Sequence, residues 1–124
     1  MVIHALLVED NKVIRDNLIP TLEALSEARV EGVAETEAEA IAWLESHDGW
    51  DVAVVDLFLR EGSGLGVLAS CANRRAGQRV VIFSNYATEE IRRRANELGA
   101  DAIFDKSTEI DGLLDFLERL PPPP

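Results

Sequence analysis

The chain has 124 residues, enough for one domain with a core of its own, and no apolar run reaches the roughly 20 residues that span a bilayer, so no membrane partner is expected. Its formal net charge of −11 repels phosphate backbones, which predicts no direct binding to nucleic acid. A single cysteine excludes an internal disulfide and, with no signal-peptide pattern at the N-terminus, favours a cytoplasmic protein.

The first third of the chain predicts a strand, a helix and a second strand. The apolar run Ile3–Val8 is typical of a buried strand, and it ends in the acidic pair Glu9-Asp10. Apolar residues at positions 14, 18, 22 and 25 then predict an amphipathic helix over about Lys12–Ser26. The weaker strand Arg29–Ala34 contains a glycine, which favours the edge of a sheet.

A capping box begins the second helix, because Glu39 follows Thr36 by three residues. We expect this helix to end near Ser46. Its predicted inner face consists of Ala38, Ile41 and Ala42, with Trp43 left open as a fourth member. The next strand, Val52–Val55, is apolar throughout, which predicts burial on both faces, and it ends in Asp56.

Asp56 is followed by a glycine-containing loop and a third helix. The glycines at 62, 64 and 66 match neither the dinucleotide fingerprint nor the P-loop, so we interpret them as a turn and a helix entry. The inner side of this helix is predicted to carry Leu65, Leu68 and Ala72. Cys71 is interpreted as a small buried hydrophobe.

The last third of the chain repeats the strand–helix pattern twice. Val80–Phe83 predicts a strand that ends in Ser84, and the next helix runs from a Thr88 cap to Gly99. Ala102–Phe104 predicts a fifth strand, which Lys106 follows closely. The predicted inner stripes of the last two helices are Ile91, Ala95 and Leu98, and then Ile110, Leu113, Leu114, Leu117 and Leu120. We assign residues 1–120 to one domain and 121–124, four prolines, to a tail or the start of a linker.

Five strands that alternate with five helices predict a three-layer α/β fold with a parallel sheet. We expect the third strand at the centre and the first strand beside it. Carboxyl ends of parallel strands share one edge, where open α/β sheets bind their ligands. The side chains expected to meet there are Glu9, Asp10, Asp56, Ser84 and Lys106.

This expected cluster has the parts that phosphoryl transfer needs. Three carboxylates close together require a cation or a proton, and hard oxygen ligands suit Mg²⁺. The Asp56 carboxylate can attack phosphorus and form an aspartyl phosphate. Lys106 would add a second positive charge, and the Ser84 hydroxyl could bind a phosphoryl oxygen.

The whole chain resembles the response-regulator receiver domains of two-component signalling. The resemblance rests on Glu9-Asp10, Asp56–Leu59, Gly62–Leu65, Ser84, and Gly99–Asp101 leading to Lys106. It implies a flavodoxin-like (βα)5 three-layer sandwich with a five-stranded parallel sheet in the order 2-1-3-4-5. It also implies a phosphoaccepting signalling domain rather than an enzyme, with slow self-dephosphorylation.

The resemblance further implies roles for single residues. Asp56 would accept phosphate from a phosphohistidine of a histidine kinase or a phosphotransfer protein. The implied Mg²⁺ ligands are Asp10, Asp56 and the main-chain carbonyl of Phe58, with Glu9 acting directly or through water. Ser84 and Lys106 would hold the phosphoryl group, and Ser84 would move when it arrives. Phe58 and Tyr86 occupy the positions that border the path of hydrolytic water in the family.

Three positions depart from the family pattern. Ser107 replaces the usual proline after the lysine, and because a cis bond there would cost about 3 kcal/mol more than trans, this loop is expected to differ. The position of the aromatic switch residue holds Ile103, while the aromatic Phe104 comes one place later, on the opposite strand face. Either residue could serve as the switch. Arg60 replaces a frequent proline, with little chemical consequence.

Two other functional classes compete with the phosphoacceptor. A receiver-like module that binds proteins without phosphate would lose the acceptor, the acidic pair or the lysine, and all are retained. A metal-dependent phosphatase with Asp56 as nucleophile would place a second aspartate at position 58, which is Phe58.

Charges on the last two helices predict an interaction surface. The fourth helix carries Arg92, Arg93 and Arg94, and the fifth carries Asp111, Asp115 and Glu118. Relatives commonly dimerise through this face, so a homodimer is one expectation, and ordinary solvated charges are the other.

Overall fold

In a computed structural model that describes residues 2–120, strands and helices alternate along the chain as the sequence predicts. The strands are β1 (Ile3–Val8), β2 (Ala28–Ala34), β3 (Val52–Val55), β4 (Arg79–Ser84) and β5 (Ala102–Asp105). The helices are α1 (Lys12–Leu25), α2 (Glu37–Ser46), α3 (Gly64–Ser70), α4 (Glu89–Glu97) and α5 (Ile110–Glu118). None of the helices in this part of the chain is long and apolar enough to cross a membrane. The prolines at 121–124, predicted to be a tail or linker, lie outside the described residues.

The strands form one parallel sheet in the order β2-β1-β3-β4-β5, which confirms the predicted topology. β3 lies at the centre and all of its residues are buried, because small apolar side chains fit between layers on both faces. β2 lies at an edge, as its glycine indicated. Val55 of β3 pairs with Val8 of β1 and with Ile82 of β4, so these three strands end side by side.

Helices cover both faces of the sheet and divide the core into two clusters. α2, α3 and α4 pack on one face, around Leu6, Val55 and Ile82. α1 and α5 pack on the other face, around Leu7 and Val54. Successive residues of a strand point to opposite faces, so each apolar run contributes to both clusters. The structure thus has the three layers that the sequence predicted.

The inner face of α2 differs from the prediction. Ala38 and Ala42 were expected to face the sheet, and both are exposed. The residues that pack on the sheet are Ala40, Trp43 and Leu44. The physical reason is a slot in β2: a Cβ on Gly32 would come within 2.3 Å of the Trp43 indole nitrogen, so only glycine leaves room for the ring. Docking of Trp43 there sets the rotation of the helix.

The other helices mostly follow the predicted pattern. The apolar stripes of α4 and α5 face the core as expected. α3 is shorter than expected, because it ends at Ser70 and leaves Ala72 exposed beyond it. Its buried side chains are Val67 and Leu68, and Cys71 is buried as predicted.

Side-chain caps begin four helices at the edge of the sheet where the strands end. The capping residues of α1, α2, α3 and α4 are Asn11, Thr36, Ser63 and Thr88, and each accepts a hydrogen bond from a backbone N–H of the first turn. Such caps stabilise helix ends by about 1 kcal/mol each. The Glu39 carboxylate accepts its hydrogen bond from the N–H of Glu35, one residue before the cap, so the predicted capping box is completed one position early. These caps fix where each connecting loop meets its helix.

Candidate functional site

Three carboxylates meet where β1 and β3 end. Glu9 and Asp10 follow β1, and Asp56 follows β3. Each offers an oxygen, and these oxygens lie within 4.8 Å of one another. The structure therefore brings together the acidic residues that the sequence singled out.

The ammonium group of Lys106 binds two of these carboxylates. Nζ donates to Oδ2 of Asp56 at 3.0 Å and to Oε1 of Glu9. The side chains are 10% exposed for Lys106, 12% for Asp56 and 2% for Glu9. With so little water between them, opposite charges attract more strongly than at the surface, and this attraction offsets the repulsion between the two carboxylates.

Glu9 is the most buried member of the acidic cluster. Burial raises the pKa of its carboxyl above the ordinary value of 4.5, and the negative charge of Asp56 raises it further. The Lys106 ammonium and the Asn11 N–H, which donates to Oε2 at 3.2 Å, act in the opposite direction. The ionised form of Glu9 thus depends on positive charge nearby.

The acidic cluster has the chemistry of a site for a hard divalent cation. All its side-chain donors are carboxylate oxygens, which Mg²⁺ and Ca²⁺ prefer. Lys106 is the only ammonium bound to the cluster among residues 2–120, and it supplies one positive charge to three carboxylates. These residues could therefore hold a metal ion.

The loop after Asp56 folds back tightly on the end of β3. The Leu57 N–H donates to Oδ1 of Asp56 at 2.8 Å, which orients the carboxylate. The Gly64 N–H donates to the Leu57 carbonyl at 2.8 Å, and a Cβ on Gly64 would lie 2.0 Å from the carbonyl oxygen of Asp56. Glycine is therefore required at this close approach. Phe58, whose carbonyl was predicted to bind metal, lies in this loop opposite Ser63.

Ser84 and Lys106 lie on adjacent segments. Ser84 ends β4 and is fully buried, and its hydroxyl oxygen accepts from the Tyr86 N–H at 3.1 Å. Its backbone carbonyl accepts from the Lys106 N–H at 3.1 Å. The predicted phosphoryl-holding residues are thus joined through the backbone at the end of the sheet.

The sequence profile of the response regulator receiver domain family matches residues 5–118. The chain belongs to this family. It is 33% identical over 123 residues to the acid tolerance regulatory protein ActR of Rhizobium meliloti (strain 1021), a match that covers 95% of this chain and 62% of ActR. This receiver domain therefore spans less than two thirds of that relative.

Solved structures share the fold of the receiver domain. A DNA-binding response regulator of the LuxR family from Staphylococcus aureus has a TM-score of 0.86 at 17% identity, covering 96% of this chain and 98% of that one. A response regulator from Burkholderia pseudomallei was solved with a phosphorylated aspartic acid, a calcium ion and citrate. It has a TM-score of 0.79 at 24% identity, and the match covers 94% of this chain and 67% of that one. The expected receiver architecture is confirmed.

The receiver domain differs from the usual pattern around Lys106. Ser107, which stands in place of proline, donates from its N–H to Oδ1 of Asp105 at 2.8 Å and also from its hydroxyl. Residues 2–120 contain no cis peptide bond. Ile103 packs with the cluster under α2, α3 and α4, whereas Phe104 packs with the opposite cluster, edge-on to Phe116. The two switch candidates thus face different layers, as predicted.

Charged residues that sequence patterns did not indicate also contact the site. Arg15 of α1 donates from Nη1 to the Glu9 carbonyl at 2.8 Å and to Oε2 of Glu35 at 2.9 Å. Glu37 of α2 accepts from the Ser63 N–H in the loop after Asp56. A glycine inside a helix, Gly66, was the available signal, since such glycines often mark close packing.

Proposed function

We propose that this receiver domain takes a phosphoryl group onto Asp56 from the phosphohistidine of a histidine kinase or of a phosphotransfer protein. The observation that carries the proposal is the setting of Asp56, whose two oxygens are held separately by the Leu57 N–H and the Lys106 ammonium. An Asp56 oxygen attacks phosphorus and the bond from phosphorus to the histidine nitrogen breaks. That nitrogen keeps the electron pair, and because the other ring nitrogen of the phosphohistidine carries a proton, the histidine leaves as neutral imidazole.

The surrounding side chains have distinct proposed roles. The metal ligands would be Glu9, Asp10, Asp56 and the main-chain carbonyl of Phe58, with Glu9 binding directly or through water. Bound Mg²⁺ neutralises negative charge on the phosphoryl oxygens. Lys106 supplies positive charge beside Asp56. The Ser84 hydroxyl accepts from Tyr86, which leaves its own proton free to donate to a phosphoryl oxygen.

The domain would act as a signalling switch and not as an enzyme, and Mg²⁺-dependent self-phosphorylation from small phosphodonors would be part of that switching. The Burkholderia response regulator, which shares this fold and was solved with a phosphorylated aspartic acid, supports acceptance of phosphate by an aspartate. We place the protein in the cytoplasm. We also predict that the domain does not bind nucleic acid directly, because its strong negative charge repels the phosphate backbone.

Mass spectrometry after incubation with acetyl phosphate and Mg²⁺ tests the acceptor. We expect a phosphoryl adduct on the wild type and none on Asp56→Asn, which keeps the shape of the side chain but lacks the nucleophilic carboxylate. Asp10→Asn should also remain unlabelled, because the metal site loses a charged ligand. Asp16→Asn, an exposed change on α1, is the matched control and should be labelled like the wild type.

Each result has a defined meaning. An unlabelled wild-type protein would contradict the proposal and favour a module that binds proteins without phosphate. Labelling of Asp10→Asn to the wild-type level would contradict the metal assignment alone.

A further inference from the structure

Glu37, the first residue of α2, joins that helix to the loop after the acceptor. Its backbone N–H donates to the Glu61 carbonyl at 3.0 Å. Its side-chain Oε1 accepts from the Ser63 N–H, also at 3.0 Å. Glu37 therefore forms a hydrogen bond with each end of segment 61–63, one to Glu61 and one to Ser63.

The Glu37 side chain fits because two glycines face it. A Cβ on Gly66 would lie 2.2 Å from Oε1 and 2.6 Å from Oε2 of Glu37. A Cβ on Gly62 would lie 2.5 Å from the Glu37 Cβ, and Gly62 has a φ of 82°, which glycine adopts without strain. Gly66 lies inside α3, where glycine destabilises a helix relative to alanine. Glycine at position 66 leaves space for the Glu37 carboxylate, and this explains why the helix contains a residue that lowers its stability.

Ser63 connects this contact to the acceptor loop. It pairs with Phe58 in an antiparallel bridge, and its hydroxyl caps α3 by accepting from the Leu65 N–H at 3.0 Å. The next residue, Gly64, donates to the Leu57 carbonyl. Segment 57–64 is therefore a closed turn, and holding the Ser63 amide restrains the Phe58 backbone across from it.

A second contact supports the same anchoring. The Arg60 N–H donates to the Glu35 carbonyl at 3.3 Å, just before α2. The corner between β2 and α2 thus holds the acceptor loop at residues 60, 61 and 63. Two carboxylates of the corner take part: Glu37 accepts from the Ser63 N–H, and Glu35 forms a longer and more exposed contact with the Arg60 guanidinium at 3.4 Å.

We propose that Glu37 is a positioning residue whose carboxylate fixes the backbone of the acceptor loop and thereby sets the affinity of the acidic site for Mg²⁺. This inference rests on the proposed function, because it takes the Phe58 carbonyl as a metal ligand. Glu37 itself touches neither the metal position nor the phosphoryl group. It acts through Ser63 and the bridge to Phe58.

A purely structural role for Glu37 predicts different results. A carboxylate in the first turn of a helix also interacts favourably with the helix dipole. In that case, replacing Glu37 would lower the melting temperature but leave Mg²⁺ affinity unchanged.

In the first test, Mg²⁺ is titrated into the full chain and binding is monitored by the NMR signals of the backbone amides. The wild type is compared with Glu37→Ala, Glu37→Gln and Glu45→Ala. We expect Glu37→Ala to weaken Mg²⁺ binding about tenfold, at the low end of losses for groups beyond the ligands themselves. Glu37→Gln should bind Mg²⁺ like the wild type, because its amide oxygen accepts the same hydrogen bond. Glu45→Ala removes an exposed charge from the same helix and should change nothing. Wild-type affinity in Glu37→Ala would overturn the inference.

The second test uses the fit between Glu37 and Gly66. In the wild-type background Gly66→Ala should weaken Mg²⁺ binding, since the new methyl group displaces the carboxylate. In the Glu37→Ala background the same change should cause no further loss, and it should raise the melting temperature because alanine favours the helix. Independent, additive losses of affinity would contradict the proposal.

Phosphorylation separates this inference from the proposed function. The rate of labelling by acetyl phosphate is measured against Mg²⁺ concentration for the same variants. Glu37→Ala should need more Mg²⁺ for half-maximal labelling and approach the wild-type rate at saturation. An unlabelled wild type would refute the proposed function, whereas equal Mg²⁺ requirements in labelled wild type and Glu37→Ala would refute only the role of Glu37.

Discussion

Two aromatic side chains, Phe58 and Tyr86, stand beside the acceptor. Their rings meet edge to face, with centroids 4.6 Å apart and planes at 82°. Both are well exposed, at 58% for Phe58 and 56% for Tyr86. They follow Asp56 and Ser84 by two residues each, on the loops after β3 and β4. Neither carries a carboxylate or an amide that could orient a water molecule toward phosphorus.

This pair leads us to expect a long-lived phosphorylated form. Positioning of the attacking water accounts for much of the catalysis of phosphoryl transfer, so Phe58→Asn and Tyr86→Ala should lose phosphate faster than the wild type, Phe58→Asn by about tenfold. The measurement is loss of label from isolated phosphoprotein in Mg²⁺. Val13→Ala, another exposed apolar side chain, serves as the control. Slower decay in both aromatic variants would mean that these rings assist hydrolysis.

The elements after β4 are joined by one arginine. Arg92 of α4 donates to the carbonyls of Ala87 and Ile103 at 3.1 and 3.2 Å, and to Oε1 of Glu109 at 2.8 Å. Glu109 Oε1 also accepts from the Asp105 N–H at 3.0 Å. Of the three arginines that the sequence places on α4, Arg92 is thus the one whose guanidinium is bound within the molecule, with its side chain 41% exposed.

The Arg92–Glu109 contact predicts a pH dependence of stability. The hydrogen bond from Arg92, followed by that from Asp105, lowers the pKa of Glu109 below its ordinary 4.5. Because the pKa of Glu109 is lower in the folded protein than in the unfolded chain, its ionised carboxylate stabilises the fold at pH values above the unfolded-state pKa. This contribution is lost as the pH falls through the folded-state pKa. In urea unfolding, Glu109→Gln should have a lower free energy of unfolding than the wild type. The difference between the two proteins should be constant from neutral pH to about 5 and become smaller below pH 4.5. With Glu118→Gln, an exposed control on α5, no such narrowing is expected.

The order of the elements was readable from the sequence, and so were the inner faces of α4 and α5, but the rotation of α2 was not. The runs that end in Glu9, Asp56, Ser84 and Lys106 have unmistakable apolar patterns, and parallel topology then places their ends together. α2 is different, since its alanines suit either face and the deciding contact, Trp43 on Gly32, comes from a distant strand. The contacts of Glu37 and Arg15 join residues 26 and 20 positions apart, so the pattern of each helix does not indicate the partner, although Gly66 indicates close packing on α3.

At the scale of the whole molecule, the face formed by α4 and α5 carries exposed charges of both signs, and α4 exposes Glu89, Glu90 and Glu97 as well as its arginines. Arg93 and Arg94 are exposed on α4, and Arg93 pairs with Glu97 at 3.0 Å. The exposed acids of α5 are Asp111, Asp115 and Glu118. Two copies related by a twofold axis could place these opposite charges against each other.

We therefore expect phosphorylation to favour a symmetric dimer through α4 and α5. Sedimentation should show a higher apparent mass for the phosphorylated protein, and high salt should reduce it, because exposed charge pairs are screened. Arg94→Glu should weaken the association, and Glu45→Ala on α2, which packs beside β2 at the opposite edge of the sheet, should not. A monomer in every condition would rule out the dimer.

The central strand β3 and the edge strand β5 give the two halves of the site different freedom to open. Asp56 follows β3, which is buried throughout, whereas Lys106 follows β5, whose residues are all only half-buried. Local opening costs least where few apolar contacts are lost, so we expect β5 to detach from the sheet more readily than β3. A group bound to both Asp56 and Lys106 favours the closed members of that ensemble. Phosphorylation of Asp56, next to the buried central strand, would then be sensed by a partner protein as a change in the fraction of molecules in which β5 is open.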